Sequence, residues 1–260
     1  MSASAFPPPS VPEPCAVEAL RTQGFAVLDA ATVRAWAGAE SAVLETLASL
    51  WEGLPPDNYL KDGGHYRRRR HGSWVLVEGA LVPVAHRAHW QPLSYNALHG
   101  GMQRWFEPLT SVFASNAGFV RLLHKLAELT TALKGGDTWY TEVHQFRIDT
   151  EGGIGRPTPE GAHRDGVDLV AVFMVGRHAI KGGETRVFEA DGPQGQRFTL
   201  TEPWSLLLLD DARVIHESTP IQPLDPKALG WRDTLVVTLR SGGFQDEPDV
   251  GGATSTHQAV

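Results

Sequence analysis

Apolar residues recur at spacings of three and four in two early parts of the chain and form short extended runs in the rest. Within residues 14–55 the helical spacing is carried by 33–37 (VRAWA) and 41–51 (SAVLETLASLW). Pro55-Pro56 ends that segment, since proline lacks the N–H that a helix interior needs. A second helical stretch is expected over 103–133. There Phe119, Leu122, Leu123, Leu126 and Leu129 make one stripe, closed by Gly135-Gly136. Residues 57–100 are mixed, with short alternating pieces such as 73–77.

After Gly136 the texture changes. Residues 139–148, 169–175, 184–188, 196–200, 204–209 and 234–239 are short β-branched or aromatic runs separated by Gly-, Pro- and Asp-rich turns. Many short strands with turn signals predict a sandwich or barrel. The expected architecture is α+β: an N-terminal helical layer on a C-terminal double-stranded β-helix, the cupin-like jelly roll. The strands are compatible with that fold, and the motifs below select it. Residues 1–13 and 244–260 read as flexible tails around a single domain spanning 14–243.

Composition narrows the class. Of 260 residues, 42% are apolar and 20% charged, an ordinary globular balance with enough material for a sizeable core. The formal charge of -7 argues against a general nucleic-acid binder, which would carry a basic excess. Cys15 is the sole cysteine, so no intrachain disulfide forms, as suits a reducing cytosol. The apolar runs 169–175 and 206–209 are too short to span a membrane, and residues 1–14 contain no secretory h-region. The expectation is a soluble cytoplasmic protein with a small-molecule substrate and no nucleic-acid or membrane partner. A homo-oligomer is compatible with these features. The local exception to the acidic balance is the run Arg67-Arg68-Arg69-Arg70.

The candidate chemistry begins at His163-Arg164-Asp165-Gly166. Residues two apart on an extended segment point to the same side, so His163 and Asp165 can present an imidazole and a carboxylate to one metal. The third ligand has three later candidates, His178, His216 and His257. His178 lies in a polar turn at the far end of the strand that leaves the site, and His257 in the C-terminal tail. His216 follows an apolar strand and the turn 210–213, and is the preferred choice. Two histidines and one carboxylate on one face, with other positions open, make the facial triad of iron(II) oxygenases.

Sixteen residues after His216 comes Arg232-Asp233-Thr234, opening another strand. Arg232 and Thr234 share a face. A guanidinium holds a carboxylate by two charge-assisted hydrogen bonds and a hydroxyl adds a third. That pair suits the distal carboxylate of 2-oxoglutarate. Arg213, Arg240 and Arg147 are competing anchors.

His-x-Asp, a distant His and Arg-x-Thr together resemble the 2-oxoglutarate/iron(II) dioxygenase superfamily, as does the segment 182–188 (GGETRVF). Residues 159–168 (PEGAHRDGVD) are similar to the bacterial group that contains the L-isoleucine dioxygenase. So are 66–70 (YRRRR), 91–96 (QPLSYN), Gly100-Gly101 with Arg104, 106–109 (FEPL) and His144-Gln145-x-Arg147. The similarity covers roughly residues 20–243. It implies a double-stranded β-helix, Fe(II), 2-oxoglutarate and O2, and hydroxylation of free aliphatic L-amino acids with release of succinate and CO2.

An amino-acid carboxylate needs a cation. If 66–70 is a strand, Arg68 and Arg70 share one face beside Tyr66, leaving Arg67 and Arg69 on the other, toward solvent. Tyr95, Asn96 and Gln145 are further candidates for polar substrate contacts, and Asn96 or Glu142 for accepting an ammonium group. Phe173 and Trp204 are read as core. Three other readings compete. A zinc hydrolase would want a nearby general base and would have no use for Arg232-x-Thr234. A non-catalytic jelly-roll binding module would have no need of an intact triad. The same oxygenase chemistry could also serve a carrier-bound, peptidyl or specialised-metabolite substrate.

Overall fold

Side chains on the strand Trp231–Arg240 alternate between two environments. Leu235, Val237 and Leu239 join an apolar core with the helices, while Arg232, Thr234, Val236 and Thr238 line a cavity. A half-polar strand of this kind can be satisfied only between an apolar layer and a site, and the rest of the molecule is built around that division. The computed structural model describes residues 6–38 and 41–246.

The strand belongs to a seven-stranded sheet. In spatial order it comprises β1 (Phe25–Leu28), β9 (Ser205–Asp210), β5 (Leu169–His178), β12 (Trp231–Arg240), β4 (Thr138–Asp149), β2 (Arg67–Val77) and β3 (Ala80–Pro83), with every pairing antiparallel. A second sheet holds β10 (Val214–Ser218), β7 (Thr185–Glu189) and β8 (Gly195–Phe198). A third pairs β11 (Ile221–Pro223) with β6 (Ile180–Gly182). Val27, Val170, Met174, Leu207 and Leu209 of the large sheet pack with Val187, Phe198 and Val214 of the second. The two sheets therefore face each other as a jelly roll.

The opposite face of the large sheet is covered by helices α1 (Ala16–Gln23), α2 (Ala30–Ala37), α3 (Ser41–Ser49), α4 (Ser111–Ala114) and α5 (Ala117–Lys134). The stripe Phe119, Leu122, Leu123, Leu126 and Leu129 of α5 is buried there. Its start is fixed by Asn116, whose side chain accepts from the N–H groups of Gly118 and Phe119. Phe173 and Trp204 are core residues, as expected, at 0% and 4% exposure.

Several elements differ from expectation. The helical stretch foreseen over 103–133 starts only at Ser111, because residues before it serve the sheet edge. His71 N–H donates to Glu107 O, and Leu109 N–H to His71 O. β2 is one long strand over the arginine run, where only short pieces were foreseen. β1 lies between two of the N-terminal helices, where no strand was foreseen. Residues 6–13 also lie against the domain, through Val11 N–H to Val27 O and Thr199 N–H to Phe6 O, both at 2.9 Å. Residues 244–246 pack as well. Arg87 stacks on Phe244 and pairs with Asp246, and Gln245 reaches the loop after Asp165. The remaining tail residues, 1–5 and 247–260, are outside the described residues. No helix among the described residues is long and apolar enough to cross a membrane.

Candidate metal and cosubstrate site

His163 and His216 are brought together by the backbone. Each N–H donates to the other's carbonyl at 3.0 Å, forming an isolated antiparallel bridge. Residues directly opposite in such a pair share a face, and the two imidazoles sit 4.6 Å apart by ring centroid. Asp165, two residues on, completes a set whose donor atoms all lie within 4.8 Å of one another. Its carboxylate oxygens are 3.9 Å from His163 Nε2 and 3.8 Å from His216 Nε2. Gly166 then turns the chain at φ 76°, a left-handed conformation natural to glycine, and a Cβ there would clash with the Tyr95 ring.

Neighbouring groups hold these ligands. His163 Nδ1 lies 2.9 Å from Gly161 O, which directs Nε2 to the site. Gln91 donates to Asp165 Oδ1 at 3.1 Å. Asp211 accepts from the backbone N–H groups of Asp165, Gly166 and Val167 at 2.9, 2.7 and 3.2 Å, clamping the loop. Burial, with the charge of Asp165 beside it, pushes Asp211 up to about 6. Burial also holds His216 well below the usual histidine range, so its ring is neutral, the form that binds a metal. Burial lowers His163 too, but the charges of Asp165 and Glu160 outweigh it and the ring ends above its ordinary value.

The triad opens onto a cavity of about 130 Å³. Arg232 and Thr234 line it, on the inner face of β12. Arg232 is buried with its Nε unpartnered, and burial together with Arg177 lowers it to about 10. The donor set of two imidazoles and a carboxylate and the unpartnered guanidinium in one cavity suit a divalent transition metal and an anionic chelator. The competing anchors are directed elsewhere. Arg213 donates to the carbonyls of Arg21 and Thr22, and Arg240 to that of Gly243. Arg147 grips Asp233 with two hydrogen bonds, of 2.8 and 2.7 Å, and stacks on Trp231. It pairs in register with Asp233, on the face opposite Arg232, so the expected cosubstrate role of Arg147 is corrected to a structural one. His178 stacks on Trp231 at the far end of β5, and His257 is outside the described residues.

The arginine run is inverted relative to expectation. Arg67 and Arg69 are buried and line the cavity. Arg68 pairs with Asp149 at 3.2 Å and Glu151 at 3.1 Å, and Arg70 donates to Pro108 O. The cause is the pairing of β2 with β4, which sets Arg67 and Arg69 opposite Ile148 and Phe146, both cavity residues. Tyr66 is buried with its hydroxyl on Asp62, and Tyr95 covers Gly166 rather than the cavity. Gln145 faces the helices and donates to Leu50 O. Of the foreseen polar contacts Asn96 and Glu142 line the cavity, Asn96 tied to Gln91 and to the His99 N–H.

The sequence assigns no site role to Arg104, Gln91 and His144, which enter it only through the resembling segments, nor to His89 and Gln245, yet all five line the cavity. Arg69 stacks on Phe106 and Phe146 at 3.7 and 4.4 Å from the ring centroids, and burial drives its pKa well down. Arg104 is lowered to about 10 by burial, then by Arg67. Asp57 answers two of these arginines, 2.7 Å from Arg67 and 3.7 Å from Arg69. His71, His89 and His144 form a second group with donors within 4.8 Å. One nitrogen of each is committed to a hydrogen bond: His71 Nε2 and His89 Nδ1 to Glu142, and His144 Nδ1 to Arg69 at 2.7 Å. A metal there would also face a guanidinium, so this group reads as a wall of the cavity.

Comparison with known proteins agrees with this geometry. The family model described as 2OG-Fe dioxygenase matches residues 48–238. The crystal structure of a bsmA homolog from Methylobium petroleophilum PM1 is 56% identical, covering 91% of this chain and 96% of that one, with a TM-score of 0.86. The fold is also shared with IDO from Bacillus thuringiensis, at 17% identity over 95% of this chain and 99% of that one, TM-score 0.72. The Fe(II)/(alpha)ketoglutarate-dependent dioxygenase TqaL has 19% identity over 86% and 85%, TM-score 0.66. No curated protein matches. With its triad, its buried arginine and a family match over most of its length, this chain belongs to the 2OG-Fe dioxygenase family.

Proposed function

We propose that this chain hydroxylates an unactivated carbon of a free aliphatic L-amino acid. The family uses Fe(II), 2-oxoglutarate and O2. His163, Asp165 and His216 would hold the metal, and Arg232 with Thr234 the distal carboxylate of 2-oxoglutarate. Bound together, iron and cosubstrate supply the oxidising chemistry, in which one oxygen atom enters the substrate and the other enters succinate as CO2 leaves.

The protein's part is positioning and exclusion of water. The observation that carries the substrate reading is a second set of guanidinium groups in the same cavity. Arg67, Arg69 and Arg104 line the cavity, and one buried nitrogen of each (Arg67 Nη2, Arg69 Nε and Arg104 Nε) has no hydrogen-bond partner. Buried N–H groups left unpaired are costly, so an anionic ligand is the natural complement. Phe146, Ile148 and Val172 supply apolar wall beside them. A carboxylate on the arginines with an aliphatic chain along that wall describes a small amino acid.

The test is a succinate-release screen over free L-amino acids with mass spectrometry of the product. The proposal expects aliphatic members to stimulate succinate release and gain one oxygen atom. Stimulation only by a peptide or a carrier-bound residue overturns it. Purified His163→Ala, Asp165→Ala and His216→Ala are each expected to lose iron(II) binding, read by metal titration. Full retention of metal in the His216→Ala protein would remove that residue from the set.

A further inference from the structure

An amino acid brings an ammonium group as well as a carboxylate, and the cavity must receive both. The carboxylates lining it are Glu142, Glu160 and Asp165. Asp165 belongs to the triad. Glu142 is occupied: its Oε1 accepts from His71 Nε2 at 3.0 Å and Arg87 Nη1 at 3.1 Å, and its Oε2 from His89 Nδ1 at 3.2 Å. Asn96, the other expected acceptor, is also engaged, since its Oδ1 takes the His99 N–H at 2.7 Å.

Glu160 is different. Its side chain is 11% exposed, and its Oε2 is buried without a hydrogen-bond partner. Its Oε1 lies 3.7 Å from His163 Nε2, too long for a hydrogen bond. It falls outside the group of donors that lie within 4.8 Å of one another. A carboxylate oxygen buried without a donor is an unfinished contact. The wall of the cavity therefore holds three arginines, Arg67, Arg69 and Arg104, and one carboxylate, Glu160, each with a buried polar atom that lacks a hydrogen-bond partner. That is the complement of a zwitterion.

We infer that Glu160 receives the α-ammonium group of the substrate and so selects α-amino acids over carboxylic acids that lack the amine. The inference rests on the amino-acid reading above. It makes Glu160 a specificity-determining residue, and it removes Glu142 and Asn96 from that role. Glu142 instead fixes the neutral rings of His71 and His89, and so shapes the cavity wall.

The test compares wild type with Glu160→Gln, which keeps size and removes charge. Binding of L-valine, L-leucine and L-isoleucine is measured against binding of their des-amino acids, with iron(II) affinity determined by separate titration. In the variant the preference for amino acid over des-amino acid is expected to fall by about tenfold or more, as for loss of a charged hydrogen bond. Retained binding of the des-amino acid shows that the fold is intact, and iron(II) affinity is expected to stay at the wild-type level. An unchanged preference in the variant overturns the role of Glu160 while leaving the amino-acid reading standing. A weakened iron(II) affinity overturns it in favour of a metal-ligand role. If no amino acid binds the wild type or stimulates its succinate release, the amino-acid reading itself has failed.

Discussion

Arg67 and Arg232 stand opposite the same residue, Ile148, on the two strands that flank it. Two strand spacings, about 9–10 Å of backbone, separate them. Both are buried and both line the cavity. One row of the sheet thus carries two cationic anchors with an apolar side chain between them. In the next row Arg69 and Thr234 flank Phe146 in the same way. Such an arrangement accommodates two separate carboxylates, one for a cosubstrate and one for a substrate.

The strand parity makes the arginine run a sharp test. Arg67→Ala and Arg69→Ala are expected to raise the amino-acid KM strongly, since each removes a buried cation from the lining. Arg68→Ala and Arg70→Ala are expected to leave it unchanged, because those side chains reach Asp149, Glu151 and Pro108 O on the other face. Steady-state kinetics with 2-oxoglutarate saturating reads the difference. The opposite pattern would mean that the substrate does not enter this cavity.

For the cosubstrate, Arg232→Ala is expected to cost roughly 2–5 kcal/mol of 2-oxoglutarate binding, as when one partner of a buried charged pair is truncated. Thr234→Val removes a single hydrogen bond and is expected to cost about 1 kcal/mol. Isothermal titration with metal present measures both. Equal losses in the two variants would deny Arg232 a bidentate role.

How much of this was legible in the sequence follows from where each signal is encoded. The His163-x-Asp165 spacing and the Arg232-x-Thr234 spacing are local, and period two is enough to put each pair on one face. The choice of His216 over His178 rested on strand context, and the two rings do sit on different parts of the fold. The face of β2 that turns inward is not local. It is decided by pairing with β4, some 75 residues away for Arg69 and His144, so an arginine run gives no hint of its own parity. Arg104, His89 and Gln91 come from an irregular connection without periodicity, where pattern reading has nothing to count. Gln245 reads as part of a tail because its neighbours are polar, yet it donates to the carbonyls of Asp165 and Gly166, both at 2.8 Å.

Arg147 separates structure from function. Its side chain is 13% exposed and that of Asp233 4%, with Glu52 as a surface partner. Burial lifts Asp233 to about 6, against the pull of Arg147, so removing the arginine leaves a carboxylate with little to hold its charge. Arg147→Ala is expected to destabilise the fold by about 3–5 kcal/mol, the cost of orphaning one member of a buried pair. Urea unfolding measures this, and 2-oxoglutarate affinity of the folded fraction is expected to remain. Loss of 2-oxoglutarate binding without loss of stability would return Arg147 to the cosubstrate site.

His89 gives the pH dependence a sign. Burial first, opposed by Glu142 and aided by Arg104 and Arg69, lowers its pKa from 6.5 to about 4. The ring is neutral in the fold but takes a proton in the unfolded chain, so the unfolded state binds more protons between these values. Stability from this group is complete above 6.5 and is lost as pH falls toward 4. His71 and His144 are lowered by burial and act in the same direction. Asp211 and Asp233, raised to about 6, act oppositely, so the whole curve does not isolate one group. The difference between wild type and His89→Gln does. From about pH 7 to about pH 5, the advantage of wild type over the variant is expected to shrink, at up to about 1.4 kcal/mol per pH unit. Burial raises Glu142, but its pairing with His89 and the hydrogen bonds from His71 and His89 outweigh this and hold it well below the usual carboxylate range, so it stays ionised in the fold throughout that interval. Denaturant unfolding of both proteins across the interval reads the slope, and an advantage that grows on acidification would show that His89 is charged in the native state.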